Sequence, residues 1–394
     1  MNYCFDQIIN RKNTNSLKYD FAAECGKPDD VLPLWVADMD FRTPPAVIEA
    51  LTQCSRHGIF GYTECKRDYF ETLQRWYSQN FDWEIKELWL VKTPGVVYAI
   101  CTAIRALTNK GDAVMIQEPV YYPFSESVQM NERVLVSNPL VYESRKYTIN
   151  FEDFEAKIVK NKVKLFILCS PHNPVGRVWT KLELVRLGDI CVKHNVLIVS
   201  DEIHADIVYE GNKHLVFASL KPEYSDRTIT CTAPSKSFNL AGLQVSNIFI
   251  ANQDIKHKFK SEIKKSGYSQ LNTMGLVACQ TAYEHGREWL DGLKDYLAKN
   301  LEFVRRFLAE RLPQIKLVEP QGTYLIWLDF KELDLNKKQM EDLIVTKAKL
   351  WLDSGAMFGA GGEGFERINI ACPRATLEKA LLQLEQAVKS YKYG

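Results

Sequence analysis

The sequence has no Cys-x-x-Cys pair; its ten cysteines are scattered along the chain. Without zinc-ligand spacing or a secretory leader they read as reduced, mostly buried thiols of a cytoplasmic protein, and no metal site is expected. The opening MNYCFDQIINRKNTNS is too polar to be the core of a signal peptide. No apolar run approaches the roughly 18 residues needed to span a bilayer. Excess charge of either sign is missing too: 50 basic and 49 acidic residues leave a formal charge of +1. That balance gives no general pull toward nucleic acid or an anionic membrane, and no DNA-binding appendage or basic arm is visible. A small-molecule partner is therefore expected. Repeats, low-complexity tracts and long Gly/Ser linkers are absent, so any domains should pack together instead of hanging on a tether.

What is present is enough chain, 394 residues with 46% hydrophobic, for two domains or one large domain with a smaller companion. Strand-like apolar runs occur at Ala113–Ile116, Lys164–Cys169, Val196–Ser200, Thr228–Cys231 and Val245–Ile250. Helical periodicity is clear at Val96–Leu107, Leu182–His194 and Leu290–Leu312. Strands separated by helices imply an α/β fold, a mostly parallel sheet sandwiched by helices. The tail differs: Gln321–Phe330 reads as a strand, Lys337–Leu352 as a helix, Glu366–Ala371 as a strand and Thr376–Tyr391 as a helix. That is α+β character. The expected division is a large domain over 48–285 and a smaller one built from 1–47 and 286–394, with the irregular LPLWVADMDF segment packing beside the active site.

Ligands of α/β sheets collect at the carboxyl ends of strands and at helix N-termini. Four segments place polar residues there, and each has an ordinary explanation by itself. In TPGVVYAICTAIRAL the free N–H groups of Gly95, Val96 and Val97 suit a phosphate, or form a plain turn into a helix. In CSPHNPVGRVW, Asn173 is fixed between Pro171 and Pro174 and can donate to a phenolate oxygen, or simply make an Asn-Pro turn. In NVLIVSDEIHADIVY, Asp201 ends an apolar run; an acid there can keep a pyridine nitrogen protonated, or cap the next segment. In TITCTAPSKSFNLAGLQVSN, Lys236 stands between Ser235 and Ser237. A desolvated lysine amine suits imine chemistry, although any one lysine is usually surface decoration. Company changes that reading: the acid follows the amide by 28 residues and the lysine follows the acid by 35.

Together, and in this order, the four segments resemble the fold-type I pyridoxal-phosphate family, the class I/II aminotransferases, along essentially the whole chain from about Tyr19. The resemblance implies that Lys236 carries pyridoxal 5′-phosphate covalently, that Asp201 pairs with the pyridine nitrogen and that Asn173 bonds the 3′ oxygen. It implies further that Tyr121 of EPVYYPF stacks on the ring, and that Val96, Val97 and Ser235 bind phosphate. Tyr62 of FGYT would reach the phosphate of a neighbouring subunit, which implies a homodimer. Arg367 of FERINIACPR would hold the substrate carboxylate in a bidentate clamp. LPLWVADMDF, PVYYPF, DEIHADIVY, APSKSFNLAGLQ and GTYLIWLD resemble the cystathionine β-lyase or C–S lyase branch. Departures point the same way: Gln244 stands where aminotransferases usually carry an arginine for phosphate, His204 where many carry tyrosine, and Ala233 where many carry serine.

The expected function is thus elimination of a thiol from cystathionine or a related cysteine thioether, giving pyruvate and ammonia. Tyr121, Tyr122, Phe124 and Trp35 would form an aromatic mouth for sulfur-containing side chains, with Phe124 and Trp35 equally readable as core. His204 is expected to support the cofactor or its acid, and His172 and His57 to be structural. Two rivals remain. One is an aminotransferase; the other is a cofactor-binding regulatory protein acting through protein contacts.

Overall fold

Five of the apolar runs become five adjacent strands of one sheet. The computed structural model describes residues 3–392. In chain order the large sheet contains β1 (Leu90–Thr93), β2 (Ala113–Ile116), β3 (Val134–Ser137), β4 (Leu165–Cys169), β5 (Leu197–Asp201), β6 (Thr228–Thr232) and β7 (Ser246–Ile250). They lie side by side as β1-β7-β6-β5-β4-β2-β3. Only β7 runs against its neighbours, so β1 and β6 point the same way and the rest are parallel. Strands β2, β4, β6 and β7 are buried along their whole length, which is why they read as unbroken apolar runs without alternation.

Helices cover the sheet. Val96–Leu107 starts where β1 ends, and its apolar face, including Ile100, Ala103 and Ile104, is fully buried. Lys181–Lys193 begins with a capping box in which Thr180 and Glu183 exchange side-chain-to-backbone bonds, so its start is specified locally. A second sheet, antiparallel, is built from β8 (Lys316–Val318), β9 (Leu325–Asp329), β10 (Asp353–Ser354) and β11 (Phe365–Asn369) in the order β8-β9-β11-β10. Trp327 of β9 lies flat on Phe365 of β11, with ring centroids 5.2 Å apart, and its Nε1 donates to the Tyr147 hydroxyl at 3.1 Å. These contacts belong to one apolar cluster with Phe166 and Leu168 of β4, so the two sheets share a core.

Two expectations need correction, and one short strand adds to them. The helix expected over Lys337–Leu352 is helical only as Lys337–Glu341 with a π-helical turn Asp342–Lys347. Lys349 then adopts a left-handed conformation (φ 52°), and Leu350–Trp351 pairs in parallel with Leu32–Pro33. Three consecutive apolar residues continued the helical pattern by chance. The strand expected over Gln321–Phe330 begins only at Leu325, because Thr323 also has positive φ (67°). The short strand Asp353–Ser354, too brief to give a periodic signal, was not foreseen.

The N-terminal segment is bound onto this frame by polar contacts. Lys18 is fully buried and pairs with Asp40 at 2.9 Å, while Arg11 pairs with Asp38 at 2.7 Å and Asp40 at 2.8 Å. The Asn369 amide donates to the carbonyls of Val36 (2.7 Å) and Asp38 (2.6 Å), and the Asn239 amide to those of Met39 (3.0 Å) and Phe41 (2.8 Å). Residues 36–41 are thereby held across the carboxyl edge of the large sheet. Residues 1–2 and 393–394, the ends of the expected small domain, lie outside the described residues.

Candidate active site

The carboxyl ends of β1, β2, β4, β5 and β6 open on the same edge, and the loops leaving them carry the candidate residues. Asp201 is the last residue of β5. Asn173 follows β4 by one tight loop, and Lys236 sits in the single helical turn Pro234–Ser237 after β6. These three side chains line one cavity of about 680 Å³, counted out to its mouth, together with Tyr121, Val96, Val97, Ser235 and His204. Ala37 of the N-terminal segment, Gln244 and Ser246 also line the wall.

Electrostatics inside the cavity follow from burial. Lys236 Nζ donates to the Ala37 carbonyl at 2.7 Å. Burial, assisted by the nearby Arg367 charge, lowers its amine to about 8, so about a tenth is free base at pH 7, far more than for an ordinary lysine. Asp201 is almost entirely removed from water and accepts one hydrogen bond, from the Ile203 N–H at 3.1 Å. Desolvation pushes its carboxyl up to about 7, with Lys236 opposing. A buried acid so poorly answered is ready for a cationic partner. Burial holds His204 near 3, so its imidazole is neutral; its Nδ1 has no partner and its ring meets Tyr324 edge-on at 6.2 Å. The expected support of Asp201 by His204 takes no form as a hydrogen bond among the described residues.

The helix Val96–Leu107 begins at the cavity wall. Its first internal bond runs from the Ala99 N–H to the Gly95 carbonyl, leaving earlier N–H groups open for an anion. Ser235 lies close by in the wall, and so does Ser246, whose buried hydroxyl has no partner. Ser246 opens a fully buried strand, and its residue type gives no sign in the sequence of a hydroxyl facing a site.

Arg367 comes from the small sheet. Its Nη1 donates to Asn173 Oδ1 at 3.1 Å, and its Nη2 donates to the Trp35 carbonyl at 2.9 Å and to Asp353, with which it forms a buried ion pair. Its Nε has no acceptor. Because guanidinium only donates, the Asn173 oxygen must face Arg367, which leaves the Asn173 NH₂ free to donate elsewhere.

The remaining candidates divide. Tyr122 is half-buried with its ring 5.5 Å from that of Tyr121, and the charges of Arg367 and Asp353 both act on it. Phe124 is fully buried, packed into the core by its helix Pro123–Met130, and takes no part in a mouth. Trp35 stacks on Trp351 at 4.3 Å and contributes its carbonyl, not its ring, to Arg367. Tyr62 is 98% exposed and does not line the cavity. His172 is buried against the Pro119 carbonyl at 2.9 Å. All ten cysteines are free, and no cluster of metal-ligating side chains occurs among the described residues. No helix among them is long and apolar enough to cross a membrane.

A buried acid, an amine, an amide donor and open helix N–H groups on one cavity wall suit a planar cationic ring with an anionic arm. The chain belongs to the aminotransferase class I and II family, whose sequence profile matches residues 29–384. Among individual proteins, it is 42% identical to cystathionine beta-lyase PatB of Bacillus subtilis (strain 168), over 98% of this chain and 99% of that one. Cystalysin from Treponema denticola, solved with pyridoxal 5′-phosphate, superposes with a TM-score of 0.96 at 40% identity, over 99% of this chain and 100% of the other. A pyridoxal-phosphate-bound putative aminotransferase from Clostridium difficile 630 also superposes at 0.96, with 43% identity over 98% and 100% of the two chains.

Proposed function

We propose that this protein is a pyridoxal-phosphate-dependent carbon–sulfur β-lyase, acting on cystathionine or related cysteine thioethers to release a thiol, pyruvate and ammonia. The observation that carries the reading is the convergence of Lys236, Asp201 and Asn173 on one cavity, with Arg367 reaching it through Asn173. The cofactor fits the cavity's unanswered groups: Asp201 for the ring nitrogen, the Asn173 NH₂ for the 3′ oxygen, and the helix N-terminus with Ser235 and Ser246 for the phosphate.

When bound, pyridoxal phosphate supplies an electron sink for negative charge at the amino acid's Cα. The work of the chain's own residues follows from their placement. Asp201 holds the proton on the ring nitrogen. Arg367 takes the α-carboxylate and so orients the Cα–H bond. Tyr121 covers one face of the site. Lys236 would remove the proton at Cα as general base; its lowered basicity keeps a free amine available near neutral pH. The C–S bond then breaks with its electron pair on sulfur, the thiolate takes up a proton, and hydrolysis of the remaining carbon skeleton yields pyruvate and ammonia.

The large part of the chain, 48–285, acts as the cofactor-binding domain, and 1–47 with 286–394 as the domain that supplies Arg367. The working unit is a cytoplasmic homodimer in which Tyr62 reaches the neighbouring subunit's phosphate. Supporting the dimer, Ile59, Phe60 and Tyr62 expose 72%, 59% and 98% of their surface on one short segment. The test is direct: holoenzyme mixed with L-cystathionine should release pyruvate and a free thiol, and Lys236→Ala should release neither. Transfer of the amino group to a keto acid with no thiol released would instead make the protein an aminotransferase.

A further inference from the structure

Arg367 does not meet its ligand alone. Asp353 of β10 is its direct cross-strand partner, both side chains are buried, and the carboxylate Oδ2 pairs with Nη2. The other carboxylate oxygen, Oδ1, has no hydrogen-bond partner among the described residues. The Asp353 charge acts on Tyr121, which lines the cavity, and on half-buried Tyr122 beside it. Charge bookkeeping at this spot is then decisive. Arg367 and Asp353 cancel, and an α-carboxylate docked on Arg367 brings the cluster to one net negative charge. Glu366 does not add to it: alternation turns it to the opposite face of the strand, and burial lifts its carboxyl to about 8.

We propose that Asp353 is a specificity-determining residue that filters substrates by side-chain charge. An acidic side chain entering beside Tyr122 adds a second negative charge to a buried, already negative cluster and is rejected. A neutral thioether is tolerated, and a side chain ending in an ammonium group is favoured. The inference rests on the assignment of Arg367 to the α-carboxylate, and it narrows the substrate class to neutral or cationic β-substituted amino acids.

The test uses holoenzyme and three amino acids of similar size without a β leaving group: L-aspartate, L-2-aminobutyrate and L-2,4-diaminobutyrate. Their dissociation constants are read from the change in the cofactor's visible spectrum. Wild type should bind diaminobutyrate tightest and aspartate weakest, with aspartate behind aminobutyrate by on the order of tenfold or more. Asp353→Asn should shrink that ratio by roughly tenfold. All three ligands share the α-carboxylate, so any disturbance of Arg367 cancels in the ratio. An unchanged ratio in a variant that keeps the wild-type melting temperature overturns the proposal, and so does a wild-type order with aspartate tightest, which needs no variant. A cofactor spectrum unmoved by every amino acid would instead point to failure of the underlying active-site reading.

Discussion

Asp201→Asn should stabilise the cofactor-free protein and weaken its hold on the cofactor, two effects of opposite sign from one atom exchange. The asparagine keeps the oxygen that accepts from the Ile203 N–H and removes the buried charge. Desolvation moves the Asp201 carboxyl from 3.8 to about 7 in the folded chain. A raised folded value means that the stability contribution is complete below pH 3.8 and is lost as pH climbs through about 7. About three pH units at 1.36 kcal/mol each amount to a loss of about 4 kcal/mol, accumulated between roughly pH 4 and pH 7 and constant above. Urea unfolding of the stripped protein at pH 4 and pH 8 measures most of it. Wild type should lose several kcal/mol over that interval relative to Asp201→Asn, and the variant should be the more stable at pH 8. Cofactor retention on dialysis should move the other way, since the amide cannot answer a ring-nitrogen proton with charge. Equal pH dependence of the two stripped proteins would refute the claim that Asp201 is an unanswered buried acid.

Other perturbations separate the remaining parts of the site. Rebinding of pyridoxal phosphate to stripped protein requires the unprotonated Lys236 amine, so its rate should climb with pH and level off above about 8; stopped-flow absorbance checks this, and a flat rate from pH 6 to 9 contradicts the lowered amine. Arg367→Ala removes the carboxylate clamp and leaves Asp353 buried without its partner, so KM should rise at least tenfold and stability should fall by about 3–5 kcal/mol; unchanged KM for L-cystathionine is the contrary result. Ile59→Asp puts a charge on the exposed apolar segment and should shift sedimentation from dimer to monomer, whereas an unaltered dimer would place the interface elsewhere.

Legibility followed physics. The strands buried on both faces were visible as unbroken apolar runs, and Asp201, Asn173 and Lys236 were visible because each stands where such a run stops. Ser246 was invisible: it opens a fully buried strand and looks like one more strand residue, with no signal for its unpartnered hydroxyl. Asp353 escaped for a different reason. A two-residue strand carries no periodicity, and the partner that gives its carboxylate meaning lies across a strand pairing that composition does not reveal. Phe124 and Trp35 were left open between wall and core, since aromatic character alone does not distinguish the two; Phe124 is core and the Trp35 ring stacks on Trp351.

What no residue-by-residue reading could reach is the coupling. Arg367 sits 194 residues from Asn173 in sequence, yet its Nη1 settles which way that amide faces. A neutral acceptor in place of the guanidinium would let the amide turn its oxygen to the cavity, where it would repel the 3′ oxygen it is meant to hold. The group proposed to bind substrate therefore also orients a group proposed to bind cofactor, and Asp353 and the Trp35 carbonyl hold that guanidinium in turn. A carboxylate docked on Arg367 as proposed would share the guanidinium whose Nη1 fixes Asn173. If both proposed roles hold, one side chain links the substrate carboxylate to the amide that faces the cofactor's 3′ oxygen.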